Sequence, residues 1–373
     1  MNGAEPGGAL FSGERAPLRG GEDVTVAVVN WNGRDYLRAC LAAVLAQVPT
    51  PARVVVVDNA STDGSLALVS REFPGVEVVA LPENRGPGPA RNRALRSAAT
   101  RLVALVDNDA VLAPGALDAL VRAMASGERI AACQARAVFD EDRERIHYDG
   151  GRLTLVGLQS LRNSGRRVAE APEGDADVAS LQSVALLVDR ALLGEDDLFD
   201  EGYFFYFEDF DWSLRLKLKG LRCVAVAGAV AYHLSGTKGL SYREGAAFPA
   251  RRAHYFTRNH LRLVAKCFAA RTIAIALPAL LLYEACWLLY LVLRGQGRTG
   301  IGGIRAFLRE RKEARPLRAA VQRTRVVPDR ALIEPAPFSL VTSGAKRGVA
   351  WALASGLGFV IGLYARCVRP LLG

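Results

Sequence analysis

The sequence predicts an α/β domain built on a mainly parallel sheet, followed by a basic helical region. Three observations carry this. Short β-branched runs alternate with amphipathic helical segments over residues 24–107. Polar residues close three of those runs: Asn30, Asp58 and Asp107. Charge is also divided unevenly, because residues 243–373 hold 22 basic and 6 acidic side chains while the first 242 residues carry a net charge of −6.

Residues 1–22 are rich in Gly, Pro and polar side chains and read as a flexible lead-in, without the apolar run of a secretory signal. VTVAVVN (24–30) reads as a buried strand. A helix over 34–46 follows, with Leu37, Leu41, Val44 and Leu45 on one face. RVVVVDN (53–59) is a second strand, 63–71 a helix, VEVVAL (76–81) a third strand, 89–99 a helix and RLVALVD (101–107) a fourth strand. Strands joined through helices make parallel sheets, and ligands bind beyond the carboxyl ends of such strands. Asn30, Asp58 and Asp107 stand at those ends. Pro114 begins a helix over 114–125. Residues 140–178 are polar and Gly-rich and read as irregular structure near the site. LQSVALLVDRALL (181–193) is a strand and a short helix, and LRCVAVAGAVAYH (221–233) is a buried strand ending at His233.

Six scattered cysteines without CxxC spacing fit a reducing compartment. TIAIALPALLLYEACWLLYLVL (272–293) contains the single charge Glu284 and, as a helix of ~33 Å, could cross a bilayer. The second apolar stretch, 349–365, is short and Gly-rich. Between them, residues 294–348 hold 13 basic and 4 acidic side chains. Two complete crossings would place that basic stretch on the far side, against the positive-inside tendency. The expectation is therefore apolar helices embedded in one leaflet, or re-entering, with basic flanks against anionic lipid rather than nucleic acid.

The chemistry concentrates in four places. VVDNASTDGS (56–65) is an acidic, hydroxyl-rich turn after a strand. ENRGPGPARNRAL (83–95) is a Gly/Pro loop entering a helix, with Arg91 where it reinforces an anion site. In LVDNDA (105–110), Asp107 and Asp109 flank Asn108, and alternate strand side chains can converge on one ion. Oxygen ligands of this kind suit Mg²⁺ or Mn²⁺ completed by phosphate oxygens. In FYFEDFDWSLRLKLKG (205–220), Glu208, Asp209 and Asp211 lie among aromatic residues, whose desolvation raises a carboxyl pKa toward the value a general base needs. GPGPAR lacks the third glycine of a dinucleotide fingerprint and follows the third strand rather than the first. His147, His254 and His260 show no partner spacing and read as structural or exposed.

With VVNWNG (28–33), VVDNASTDGS, NRGPGPARN (84–92), DND (107–109), LFDEGYFFYFEDFDWSLRLKLKG (198–220), AYHLSG (231–236) and YFTRNHLRL (255–263), residues 24–262 resemble the glycosyltransferase family 2 enzymes of GT-A fold. The FDE…YFEDFDWSLR block resembles the bacterial rhamnosyltransferase branch, although the glycine loop departs from that branch's usual Gly/Asn-rich helix entry. The resemblance implies an inverting, metal-dependent transferase. Asp58 would bind the nucleobase with Asn30 beside it. Asp107 and Asn108 would lie at the ribose and diphosphate, and Arg91 would help hold the nucleotide. Asp109 and His233 would serve Mg²⁺ or Mn²⁺. Asp209 would be the catalytic base, and Glu208, Asp211, Trp212, Arg258 and Asn259 would meet acceptor or diphosphate.

The expected arrangement is a lead-in (1–22), a GT-A domain (23–262) and a membrane-associating helical region (263–373). The expected donor is dTDP-L-rhamnose and the acceptor a polyprenyl-diphosphate-linked glycan at the cytoplasmic face of the inner membrane. Membrane lipids are expected partners and nucleic acid is not; a homo-oligomer is compatible with the sequence. UDP-galactofuranose, GDP-mannose or UDP-glucose as donor, a non-catalytic membrane scaffold, and a nucleotidyltransferase are the competing readings.

Overall fold

The structure is a computed structural model that describes residues 23–234, 249–336 and 349–373, with side chains in the last segment from residue 355 onward. The lead-in 1–22 and the SG of AYHLSG lie outside the described residues. The chain divides into two compact units, one made of residues 1–150, 161–216 and 221–237, the other of 151–160, 217–220 and 238–373.

The first unit opens with β1 (Val24–Asn30), α1 (Arg34–Leu45), β2 (Arg53–Asp58), α2 (Ser65–Glu72), β3 (Glu77–Ala80), α3 (Pro87–Ser97) and β4 (Leu102–Asp107), all close to the predicted bounds. β5 (Ala110–Leu112), α4 (Ala116–Ala125) and β6 (Ile130–Phe139) follow. β6 is buried throughout except at its last residue, but no clean alternation announces it. Gln134 and Arg136 interrupt the apolar run and find partners inside: Gln134 Oε1 accepts from the Gln182 amide at 2.7 Å, and Arg136 pairs with Asp149 at 3.0 Å.

The polar stretch 140–178 is more ordered than its composition suggests. It contributes β7 (Ile146–Tyr148) and β10 (Ala176–Asp177) here, while β8 (Gly151–Leu153) and most of β9 (Gln159–Leu161) belong to the second unit. Strands of two or three residues are too short to show a period. β11 (Ala185–Asp189), α5 (Glu208–Leu218) and β12 (Arg222–His233) complete the unit.

The sheet runs β10-β12-β6-β11-β4-β1-β2-β3, with β5 also on β12 and β7 on β6. β3, β2, β1 and β4 are mutually parallel, as are β6 and β12. β11 lies antiparallel between β4 and β6, so the sheet is mixed. β1 is buried at every position, as a strand covered on both faces must be. Val24, Val26 and Val28 pack with Leu37 of α1 and Leu117 of α4, while Ala27 and Val29 pack with Leu95 of α3 and Trp212 of α5. Two helical layers therefore sandwich the sheet. In β1–β2 pairing Asn30 faces Asp58, and in β1–β4 pairing Val29 faces Asp107, so the three polar ends share one edge.

The second unit holds α6 (Ala250–Cys267), α7 (Ala270–Leu293), α8 (Gly297–Thr324), α9 (Asp329–Leu332) and α10 (Val349–Val368). The basic stretch after residue 294, which carries no strong apolar period, is largely one 28-residue helix, α8. Among the described residues one helix, Ala270–Leu293, is long and apolar enough to cross a membrane.

Candidate active site

The site begins where the strands end. Asn30 closes β1 and lies fully buried between two loops. Its Nδ2 donates to Asp58 Oδ2 at 2.7 Å and to Ser61 Oγ at 3.1 Å, and its Oδ1 accepts from Asn108 Nδ2 at 2.7 Å. Asp58 uses its other oxygen to accept from the Ser61 amide at 2.8 Å, so it is fixed before any ligand arrives. Asn59 ties this turn to the glycine loop, donating to Asn84 Oδ1 and to the Gly86 carbonyl, each at 2.9 Å. Ser61 and Asn59 were not among the expected site residues, although both stand inside the DNAS motif.

The helix α3 then delivers Arg91 into the protein interior rather than to a ligand-facing position. Arg91 is buried; its Nη2 donates to Asp107 Oδ1 at 2.9 Å and its Nη1 to Glu208 Oε1 at 3.1 Å. Its guanidinium is occupied in joining the D-x-D strand end to the first turn of α5. Burial raises the Asp107 pKa, Arg91 opposes that rise, and the charge of Asp109 adds to it.

Glu208 and Asp209 are neighbours with different surroundings. Glu208 is buried, and its Oε2 has no partner. Burial, reinforced by the adjacent Asp209 charge, pushes its pKa up to about 7. Asp209 is partly exposed. Its Oδ1 accepts from the Phe210 amide at 2.8 Å and its Oδ2 from the Ser183 amide at 3.2 Å, while burial still raises its pKa. Desolvation was expected to act on Asp209; it acts on both, and the pair holds a proton near neutral pH. Asp209 is the member accessible to an incoming hydroxyl. Beside Ser183, Gln182 is buried with neither end of its side-chain amide hydrogen-bonded.

The turn before α5 is tightly constrained. Phe204, Tyr206 and Phe207 all have positive φ, at 61°, 66° and 71°, a region costly for bulky side chains. Gly86, at φ 93°, lies so close that a Cβ there would come within 1.9 Å of the Phe204 carbonyl oxygen. Phe207, Phe210 and Trp212 are buried, whereas Phe205 and Tyr206 are partly exposed and pack edge to face.

At the other end of the edge, β12 pairs with β5 so that His233 faces Ala110, and the Leu234 amide donates to the Asp109 carbonyl at 2.9 Å. His233 Nε2 lies 3.5 Å from Asp109 Oδ2. His147 Nδ1 meets His233 Nδ1 at 3.0 Å, and the rings stack with centroids 5.1 Å apart. His147 thus has a partner that its sequence spacing could not show, because β7 reaches it through pairing with β6. Tyr148, also missed, is buried where Asp107, Asp209 and Asp109 with burial hold its hydroxyl protonated. One carboxylate and one imidazole suit a divalent ion whose remaining ligands are phosphate oxygens. The donor set therefore fits Mg²⁺ or Mn²⁺, although no cluster of three or more His, Cys, Asp or Glu ligands occurs among the described residues.

Two expected acceptor contacts are part of the core. Asp211 is fully buried, accepting from Tyr203 Oη at 3.0 Å and Arg215 Nε at 2.9 Å. Trp212 is likewise buried, donates from Nε1 to the Asp197 carbonyl at 2.7 Å and stacks on Phe199. Both follow from helical geometry, because residues two and three positions beyond Asp209 turn inward. Arg258 and Asn259 belong to the helical unit, buried in α6, with Arg258 3.6 Å from Glu310.

Residues 25–176 match the family model described as Glycosyl transferase family 2. The chain is 40% identical over 111 residues to the succinoglycan biosynthesis protein ExoO of Rhizobium meliloti, covering 29% of this chain and 32% of that protein. It is 27% identical over 229 residues to the N-acetylglucosaminyl-diphospho-decaprenol L-rhamnosyltransferase of Mycobacterium tuberculosis, covering 56% of this chain and 75% of that one. Among solved structures, a mannosyltransferase of Pyrobaculum calidifontis in complex with GDP-Man and Mn²⁺ superposes with a TM-score of 0.50 at 18% identity, over 93% of this chain and 87% of that one. GalNAc-T7 with UDP, GalNAc and Mn²⁺ superposes at 0.52 with 17% identity, over 69% and 50%. The α/β unit has the GT-A fold.

Proposed function

We propose that this chain, which carries a family 2 glycosyltransferase domain over residues 25–176, is an inverting, metal-dependent transferase. It moves L-rhamnose from dTDP-L-rhamnose to a polyprenyl-diphosphate-linked glycan at the cytoplasmic face of the inner membrane. The proposed division assigns residues 23–262 to the transferase and 263–373 to the membrane-associating region; in the structure α6, which spans that boundary, belongs to the helical unit.

The observation that carries the reading is the partly exposed Asp209 carboxylate, held by Ser183 beside the Arg91-linked acids at the strand ends. Transfer to a hydroxyl needs a base within reach of the acceptor proton. Asp209 takes that proton while the acceptor oxygen attacks the anomeric carbon from the side opposite the leaving diphosphate, and the centre inverts. Asp58 and Asn30 receive the base and Asn108 the ribose side of the donor. Asp109 and His233 would hold Mg²⁺ or Mn²⁺, which when bound neutralises charge growing on the departing nucleoside diphosphate.

The sugar assignment leans on the mycobacterial relative, whose name gives its donor sugar and acceptor. A panel of dTDP-rhamnose, UDP-galactofuranose, GDP-mannose and UDP-glucose, read by nucleoside-diphosphate release with and without lipid-diphosphate acceptor, tests it. Acceptor-dependent release from another sugar would replace rhamnose. Release of inorganic diphosphate would point to nucleotidyl transfer, and nucleotide binding without turnover to a scaffold.

A further inference from the structure

α6, α7 and α8 lie side by side within the helical unit. α7 runs antiparallel to α6: Trp287 Nε1 donates to Thr257 Oγ1 at 2.8 Å, and one turn along, His260 Nδ1 meets Glu284 Oε1 at 2.7 Å. α8 starts beside the end of α7, where a Cβ on Gly300 would approach Leu291 to 2.7 Å. It then returns alongside α6. Gly303 abuts His254 and Thr257 at one end, and at the other Gln322 donates to the Lys266 carbonyl at 3.1 Å and Arg318 to the Phe268 carbonyl at 2.8 Å.

Among the described residues, the one helix long and apolar enough to cross a bilayer is therefore accompanied by two highly charged helices. α6 carries five basic residues and no acidic one; α8 carries eight basic and two acidic. Arg305, Arg309, Arg311, Lys312 and Arg315, in the middle of α8, are exposed. A crossing by α7 would take these side chains to the depth of the hydrocarbon, where an ionised Arg or Lys is strongly disfavoured. Snorkelling relieves such residues near helix ends but not at mid-length.

α7 itself has two faces. Thr272, Ala276, Ala279, Tyr283, Trp287 and Leu291 are buried within the unit. Leu277, Leu281, Leu282, Leu289 and Val292 form an exposed apolar row on the other side, closed at its ends by exposed Arg271 and Arg294. α10 meets α7 through Tyr364 Oη, which donates to the Ile275 carbonyl at 2.7 Å, and adds exposed Phe359, Val360 and Leu363. An apolar row on one side with basic residues on its neighbour is the pattern of a helix lying in a membrane interface, not across it.

We infer that α7 lies in the plane of an anionic leaflet rather than across it, its leucine row sunk among the acyl chains and the basic residues of α8 facing lipid phosphates. This deepens the membrane association proposed above and rests on it. The full chain, added to sealed preformed vesicles, is expected to float with phosphatidylcholine and phosphatidylglycerol in equal parts and far less with phosphatidylcholine alone. Changing Arg305, Arg309, Lys312 and Arg315 together to Glu should lower binding at least about tenfold. In a chain with Cys286 and Cys367 replaced by Ser, single substitutions Arg271→Cys and Arg294→Cys should both react with a maleimide that cannot cross the vesicle wall. Labelling of one and protection of the other would show α7 spanning, overturning the in-plane geometry while membrane association stands. Absence of flotation with either vesicle would overturn both, and self-association under those conditions would assign the leucine row to a second copy.

Discussion

Arg91 and Glu208, 117 positions apart in the chain, form a buried ion pair at 3.1 Å. The pair joins the helix after the glycine loop to the helix that carries Asp209, and Asp107 completes it on the other side. Arg91 thereby stands at the junction between the acids at the strand ends and those at the start of α5.

Removing that junction should be costly in stability as well as activity. Arg91→Met leaves buried carboxylates without their cation, and about 3–5 kcal/mol of folding stability should be lost by chemical denaturation. Arg91→Lys keeps the charge but cannot bridge both acids through a planar fork, so it should recover part of the loss. A Met variant as stable as the parent would contradict the junction.

Asp209→Asn should reduce kcat by about 10²–10⁴ with nucleotide binding retained, because only the proton acceptor is removed. Glu208→Gln keeps a neutral, hydrogen-bonding group at the buried position and should retain far more activity. The reverse order of severity would transfer the base role to Glu208.

The raised pKa values make opposite predictions for stability and rate. In the folded protein, Glu208 keeps its proton up to about 7, whereas in the unfolded chain it loses it in the ordinary carboxylate range. The folded state binds more protons across that window, so this contribution to stability is full at low pH and is lost as pH rises toward 7. Turnover should rise over the same window, as the Glu208–Asp209 pair gives up its shared proton and Asp209 becomes a competent base. Glu208→Gln should flatten the stability slope and move the rate inflection to lower pH. Calorimetric unfolding and pH–rate profiles measure the two separately.

Much of this architecture was readable beforehand, and the parts that were not share a cause. Strands buried on both faces announce themselves as apolar runs, so β1, β2 and β4 and the polar residues closing them were evident. β6 was hidden because Gln134 Oε1 and Arg136 meet partners 48 and 13 residues away. The carboxylate partners of Arg91 were unreadable for the same reason, lying 16 and 117 residues away. The inward turn of Asp211 and Trp212 was not readable either, because the aromatic-acid stretch reads as one surface until its helix is laid out.

His147 should matter to metal affinity although it touches no expected donor other than His233. A proton held between the two Nδ1 atoms fixes the His233 ring and leaves Nε2 directed at Asp109. Mn²⁺ titration followed by electron paramagnetic resonance should show affinity weakened about 10–100-fold in His147→Ala. Asp109→Asn should weaken it at least as much, and exhaustive chelation should abolish transfer. Unchanged Mn²⁺ affinity in both variants would remove the site.

Gly86→Ala should impair catalysis through geometry alone. The added methyl would collide with the Phe204 carbonyl at a backbone angle that alanine rarely adopts. The turn leading to Glu208 and Asp209 must then shift, and a fall in kcat exceeding any loss of nucleotide affinity is the expected signature. Gly115→Ala, also at positive φ but with open space around it, is the control for backbone strain without collision.

The pairing of Asn30 with Asp58 and of Val29 with Asp107 has a consequence for how such an enzyme can diverge. β1 is hydrogen-bonded on both sides, so a single insertion or deletion within it would turn Asn30 to the opposite face and dismantle three contacts at once. Change in length is therefore open only to segments beyond the strand ends. Lineages descending from this scaffold can alter what they recognise by remodelling those loops, while the rungs beneath stay invariant in length.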